Sequence, residues 1–243
     1  MFDLGDRKLV FAALVGSHNY NLARPDSDKD YKVFCFPSFE DLYNGKMYTK
    51  NFVSDEYDYL VHDVRRLPEF LFKGNYSFLE VLFSDVVGDF ETGMNLFLFL
   101  HENRNELVKM NLTNMYNAAL GSAYEKRKKL SYVSPSTQTD VLTYGYSRKE
   151  AVHAARLYQL LIKYVETEDY QQALKVEGFR KEVLLDLYAG KYSLEEVQNL
   201  LDMYKHLAQL TENFYYHSTQ PNHKLYEELK SLVKQTVKQE LDF

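Results

Sequence analysis

The chain has 243 residues, enough to bury a full core in one large domain or two small ones. Its net charge of −6 gives no global basic field for recruiting nucleic acid, so any such contact needs a local patch. No apolar run reaches the ~20 residues needed to span a membrane. Charges beginning at Asp3 and Asp6 argue against a signal peptide, so a soluble, cytoplasmic protein is expected.

The first apolar run, residues 9–15, predicts a buried strand. It leads into Gly16-Ser17 and a polar segment that ends in Asp28 and Asp30. A second strand is predicted over 31–36. Asp28 and Asp30 sit at i and i+2, so in extended chain they point to the same face. Two carboxylates placed this way repel each other unless a cation lies between them, and hard divalent ions favour oxygen ligands. A glycine beside them lets backbone approach a phosphate. Pro25-Asp26-Ser27-Asp28 is equally good turn chemistry, so an Asp-rich turn capping a strand is the simpler alternative. Cys35, the single cysteine, falls in the second strand and is expected to be a buried structural thiol.

A third strand is predicted over 57–62 and a helix over 63–72, broken at Lys73-Gly74-Asn75. A further helix is predicted over 77–83, carrying Glu80 among apolar residues. Beyond residue 92 the pattern is almost wholly helical, with candidates over 94–131, 147–166, 168–175, 178–189, 193–217 and 222–240. The first of these is expected to break near 110–113, and residues 131–146 form a connection rich in Ser, Thr and Tyr. Ser193 with Glu196 has the form of a capping box, and Gly190 stands where a helix ends. The layout is α+β: a short mixed sheet over 1–92, then a helical region over 93–243.

In the helix over 147–166, Lys149, His153 and Arg156 fall at i, i+4 and i+7 and share a face. A triphosphate is one counter-charge for such a face, and a solvated surface partly neutralised by Glu150 is the other possibility. The run Lys126-Arg127-Lys128-Lys129 ends a long helix, where cations favour the dipole, and could also track a nucleic-acid backbone. His62, His101, His206, His217 and His223 lack zinc-ligand spacing, and no P-loop or Rossmann glycine pattern is present.

Gly16-Ser17, a ten-residue spacer and Asp28-x-Asp30 between two strands resemble the signature of the DNA polymerase β-like nucleotidyltransferase superfamily. The resemblance narrows to the RNA-ligase-associated, RNA-repair group of predicted nucleotidyltransferases from bacteria and phages. It is carried by Gly16, Ser17, Tyr20, Leu22, Ser27, Asp28, Asp30 and Tyr31, and by Lys73-Gly74-Asn75 leading to Leu79, Glu80 and Leu82. Lys149, His153, Arg156 and Leu157 and the segment 190–197 also fit. The chain departs at Asn75-Tyr76, where the group often has Asn-Pro, and at Gln220-Pro221, where it has Leu-Pro.

This resemblance implies a polymerase β-like catalytic domain over 1–92 and a helical domain over 93–243 that closes over the nucleotide. Asp28 and Asp30 would hold two Mg²⁺ ions. A third carboxylate comes from a later strand: Asp58 opens the β-prone piece, and Asp63 is the rival but also a natural N-cap. Asp55 and Glu56 read as solvated loop acids. Gly16 and Ser17 would contact an NTP substrate, helped by Lys149, His153 and Arg156. The implied reaction moves a nucleoside monophosphate to an acceptor hydroxyl, such as an RNA or tRNA 3′ end. A protein or small-molecule acceptor, or a non-catalytic nucleotide-binding module, are the alternatives.

Overall fold

The computed structural model describes residues 2–25, 27–54, 57–88 and 90–241. Asp55 and Glu56 lie outside the described residues, as does Asp26 of the turn before Asp28. The chain forms two compact units, residues 1–111 with 221–243 and residues 112–220. The change of pattern at residue 92 is therefore not where the units part.

In the first unit the strands are β1 (Leu9–Val15), β2 (Lys29–Cys35), β3 (Thr49–Phe52), β4 (Tyr57–Asp63) and β5 (Val86–Val87). Among the described residues they form one mixed sheet in the order β3-β4-β2-β1-β5. β2 and β4 are parallel, and the other pairs are antiparallel. The chain between the parallel strands holds a short helix, α1 (Phe39–Tyr43), closed by a capping box between Ser38 and Asp41, and then β3. The helix expected over 63–72 is a 3₁₀ turn (Val64–Arg66) followed by α2 (Leu67–Phe72). The helix expected over 77–83 is α3 (Tyr76–Leu79) followed by a 3₁₀ turn (Glu80–Phe83). Next come α4 (Phe90–Glu102) and α5 (Arg104–Lys109).

Alternation along the strands gives the sheet two apolar faces. On one face Leu4, Ala12, Val33, Cys35, Tyr59 and Val61 form a core. On the other, Phe34 and His62 meet the rings of Phe70 and Phe78. Cys35 is fully buried, and burial with the neighbouring Asp63 pushes its thiol up to about 12, which makes it a structural residue.

The second unit holds α6 (Leu112–Lys128), α7 (Gln138–Tyr144), α8 (Arg148–Thr167), α9 (Tyr170–Leu174), α10 (Gly178–Tyr188) and α11 (Leu194–Leu210). A π-type turn over Glu212–Tyr216 follows. α8 is the central helix, packed by α6, α9, α10 and α11. The capping box at Ser193 and Glu196 is present, and Gly190 takes φ +70° just past α10. After Pro221 the chain returns to the first unit as α12 (His223–Leu241), which packs on α2 and α4. No described helix is long and apolar enough to cross a membrane.

Candidate active site

The ladders of the sheet bring the acidic residues together. The parallel register of β2 and β4 sets Asp30 beside Asp58. Asp28 lies just before β2, and one carboxylate oxygen from each of Asp28, Asp30 and Asp58 falls within 4.8 Å of the others. Asp28 is exposed and the other two are half-buried. Asp58 accepts the Ser54 N–H at 3.0 Å, and neither Asp28 nor Asp58 is ion-paired among the described residues. Three oxygen donors that converge in this way fit a hard divalent cation such as Mg²⁺.

Asp63, the rival third acid, lies at the other end of β4. Five residues at about 3.3 Å each put ~17 Å between it and Asp58. It is fully buried, caps the 3₁₀ turn through the Arg65 N–H, and accepts both the Nε and Nη2 donors of Arg65 at 2.9 and 2.5 Å. Asp63 is a structural residue, and Asp58 is the one that joins Asp28 and Asp30.

The Gly-Ser turn sits against the same carboxylates. Val15, the last residue of β1, pairs with Asp30, which delivers Gly16 beside it. Gly16 has φ +75°, and a Cβ there would come 2.6 Å from Asp30 Oδ2, so both backbone conformation and space require glycine. Gly16 and Ser17 belong to a 3₁₀ turn, Gly16–His18. The buried Glu80 clamps that turn. Its carboxylate accepts the Gly16 N–H at 3.2 Å and the Tyr20 hydroxyl at 2.8 Å, and its carbonyl accepts Asn19 Nδ2 at 3.2 Å. Gly16 therefore offers the site space, while its amide is engaged by Glu80.

A cleft of about 300 Å³ opens over these groups, lined by Val15, Gly16, Asp30, Lys32, Asp58 and Glu80 among others. Lys32 is its cation among the described lining residues. Its ammonium lies 4.6 Å from the Phe78 ring centre. Burial lowers its pKa, and Glu80 and Asp30 oppose that shift. Sequence reasoning missed Lys32, because β2 alternation shows only that it shares a face with Asp30, not that a cleft lies above it. Deeper on this face, His62 is 6% exposed and neither ring nitrogen has a hydrogen-bond partner among the described residues. Burial, then Lys32 and Arg66, hold its imidazole down at about 4.

Lys149, His153 and Arg156 lie in the second unit, along α8. Lys149 is exposed, His153 half-buried and Arg156 buried. Burial, with Arg156, Lys126 and Lys149 nearby, drops the His153 imidazole to about 3, so it is neutral at physiological pH. The positive charge around it belongs to the other three residues. Glu150 partly balances it through Lys126, at 3.1 Å. In the run 126–129, Arg127 pairs with Asp202 and Lys128 with Glu125, so the first three cations are already engaged.

Residues 4–241 match the model of a family described as RNA repair pathway DNA polymerase beta family, as the sequence resemblance implies. Among curated proteins, none matches the chain.

Proposed function

The chain belongs to this polymerase β family of RNA repair pathways, and from that premise we propose that it transfers a nucleoside monophosphate from an NTP to the hydroxyl of an RNA 3′ end. Pyrophosphate is the second product. The observation that carries this proposal is the convergence of Asp28, Asp30 and Asp58 at a cleft that Asp30, Asp58 and Gly16 line. Two Mg²⁺ ions held by these aspartates would supply Lewis-acid charge at the phosphate and at the attacking and departing oxygens.

The chain's own groups do the rest. Asp58 takes the proton of the attacking hydroxyl, while its bond from Ser54 fixes the carboxylate. Gly16 makes room for the β- and γ-phosphates, and the Ser17 hydroxyl donates to them. Lys149 and Arg156 of α8 are cations of the kind that bind a triphosphate, one as a point charge and one as a fork. His153 contributes a neutral imidazole that takes up a proton more readily once an anion is bound. Such substrates occur in the cytoplasm, where the activity is expected.

The test is transfer from α- and γ-labelled NTPs with Mg²⁺ to separate RNA, DNA and protein acceptors. RNA should gain α-label and no γ-label. Unlabelled RNA, or labelling that survives the double change Asp28→Asn and Asp30→Asn, would contradict the proposal.

A further inference from the structure

We propose that the part of the cleft beyond Asp58, formed by Leu60 of β4, Asn51 of β3 and the adjoining Val53, seats the terminal nucleotide of the polynucleotide acceptor. This rests on the nucleotidyl-transfer function above and adds the side from which the acceptor enters.

The order of strands carries it. Moving across the sheet, the cleft meets Gly16 at the end of β1, Asp30 on β2, Asp58 on β4 and Asn51 on β3. In-line displacement at phosphorus puts the attacking and departing oxygens on opposite sides. With pyrophosphate departing at Gly16 and Ser17, the attacking hydroxyl arrives from the side of β4 and β3. The bond from the acceptor oxygen to the α-phosphorus forms, the bond to the pyrophosphate oxygen breaks, and the hydroxyl proton passes to Asp58.

The cleft continues on that side. Asn51 and Leu60 are direct partners in the β3–β4 ladder, and Leu60 stands two residues after Asp58. All three side chains therefore share one face. Val53 is 67% exposed at the rim. The neighbours of Asn51 belong to the other face, where Lys50 pairs with Asp3 and Phe52 stacks on Tyr59.

The chemistry of this strip selects its occupant. Beyond Asp58 the described lining residues are Tyr59, Leu60, Asn51 and Val53, none charged; the Tyr59 ring packs on Phe52 on the other face, which leaves two aliphatic side chains and one amide to the strip. Phosphates would find no counter-charge there. The flat apolar surface of a sugar and base suits Leu60 and Val53, and the Asn51 amide can both donate to and accept from sugar hydroxyls or a base edge.

Two readouts test it on the full-length protein. In the first, RNA acceptor and NTP are varied separately for the wild type, Asn51→Ala and Val53→Asp. The KM for RNA should rise roughly tenfold while the KM for NTP stays within about twofold. In the second, an RNA oligonucleotide ending in 4-thiouridine is irradiated with the wild-type protein, without turnover, and should crosslink within residues 51–60. An unchanged KM for RNA, a matching rise in the KM for NTP, or crosslinks confined to other segments would overturn the assignment. Label passing only to a protein or small molecule would overturn the occupant. A wild-type protein that labels nothing would instead sink the transfer function, and this seat with it.

Discussion

Asp58 and Asp63 are carried by one strand and meet opposite surroundings. At the first end Asp30 lies beside Asp58, Asp28 is close, and neither Asp28 nor Asp58 is ion-paired among the described residues. At the second end Cys35 lies beside Asp63, and Arg65 neutralises the carboxylate with a paired contact in a fully buried setting. The same side chain in the same strand is thus a candidate metal ligand in one place and a cap in the other. What separates them is whether a cation is paired directly with the carboxylate. A buried acid with its own arginine has its charge balanced. Three acids clustered within 4.8 Å, with Lys32 as the one cation among the described residues lining the cleft, keep an excess of negative charge that an external cation relieves.

The largest expected effect is on catalysis. Asp58→Asn keeps the shape and the acceptor for Ser54, but removes the charge and the proton acceptor. Nucleotidyl transfer should fall by about 10²–10⁴-fold with the melting temperature nearly unchanged, in single-turnover assays beside thermal melts. Asp63→Ala should do the reverse. It strands Arg65 and uncaps the turn, and should cost about 3 kcal/mol in urea unfolding, while the protein that remains folded keeps its activity. Equal losses of activity in the two variants would erase the distinction between the ends.

The structural end should also carry a pH dependence. His62 titrates near 6.5 in an unfolded chain and at about 4 in the fold. Between these values the unfolded chain binds a proton that the folded protein does not. Stability is therefore full above pH 6.5 and falls by about 3 kcal/mol as the pH drops to 4. Unfolding of His62→Leu across that range should lose most of this slope, and an unchanged slope would assign it elsewhere. The smallest expected effect is at the clamp. Tyr20→Phe removes one donor to Glu80 and should cost about 1 kcal/mol of stability. Because the Gly16 turn is then held less firmly, the KM for NTP should rise while the KM for acceptor holds.

Much of this arrangement was legible in the chain, because its signals are local. The apolar run of β1, the Gly16-Ser17 turn, Asp28-x-Asp30 and the start of β4 stand in sequence order, and the α+β layout followed from the switch to helical periodicity. The capping box at Ser193 and the cap at Asp63 could also be read from spacing alone. The rest depends on pairing across the sheet. β3 reads Thr-Lys-Asn-Phe, has no buried residue, and exists as a strand because β4 pairs with it. α7 lies in the Ser/Thr-rich connection, where propensity is weak and no side chain is buried. The return of α12 to the sheet unit depends on contacts with α2 and α4 that no local pattern encodes. Glu80 looked like a lone acid among apolar residues. Its partners Gly16 and Tyr20 lie 64 and 60 positions away, and only the fold joins them. The neutral state of His153 was hidden for the same reason, since spacing shows a shared face but not burial beside Lys126.

The most direct measurement is a Mn²⁺ titration followed by electron paramagnetic resonance on the wild type, Asp58→Asn and Asp63→Asn, with each variant first shown to be folded. Asp58→Asn should weaken binding by about tenfold or more, whereas Asp63→Asn should match the wild type. Undiminished binding by Asp58→Asn, or loss of binding in Asp63→Asn alone, would contradict the assignment of the metal site to the Asp58 end of the strand.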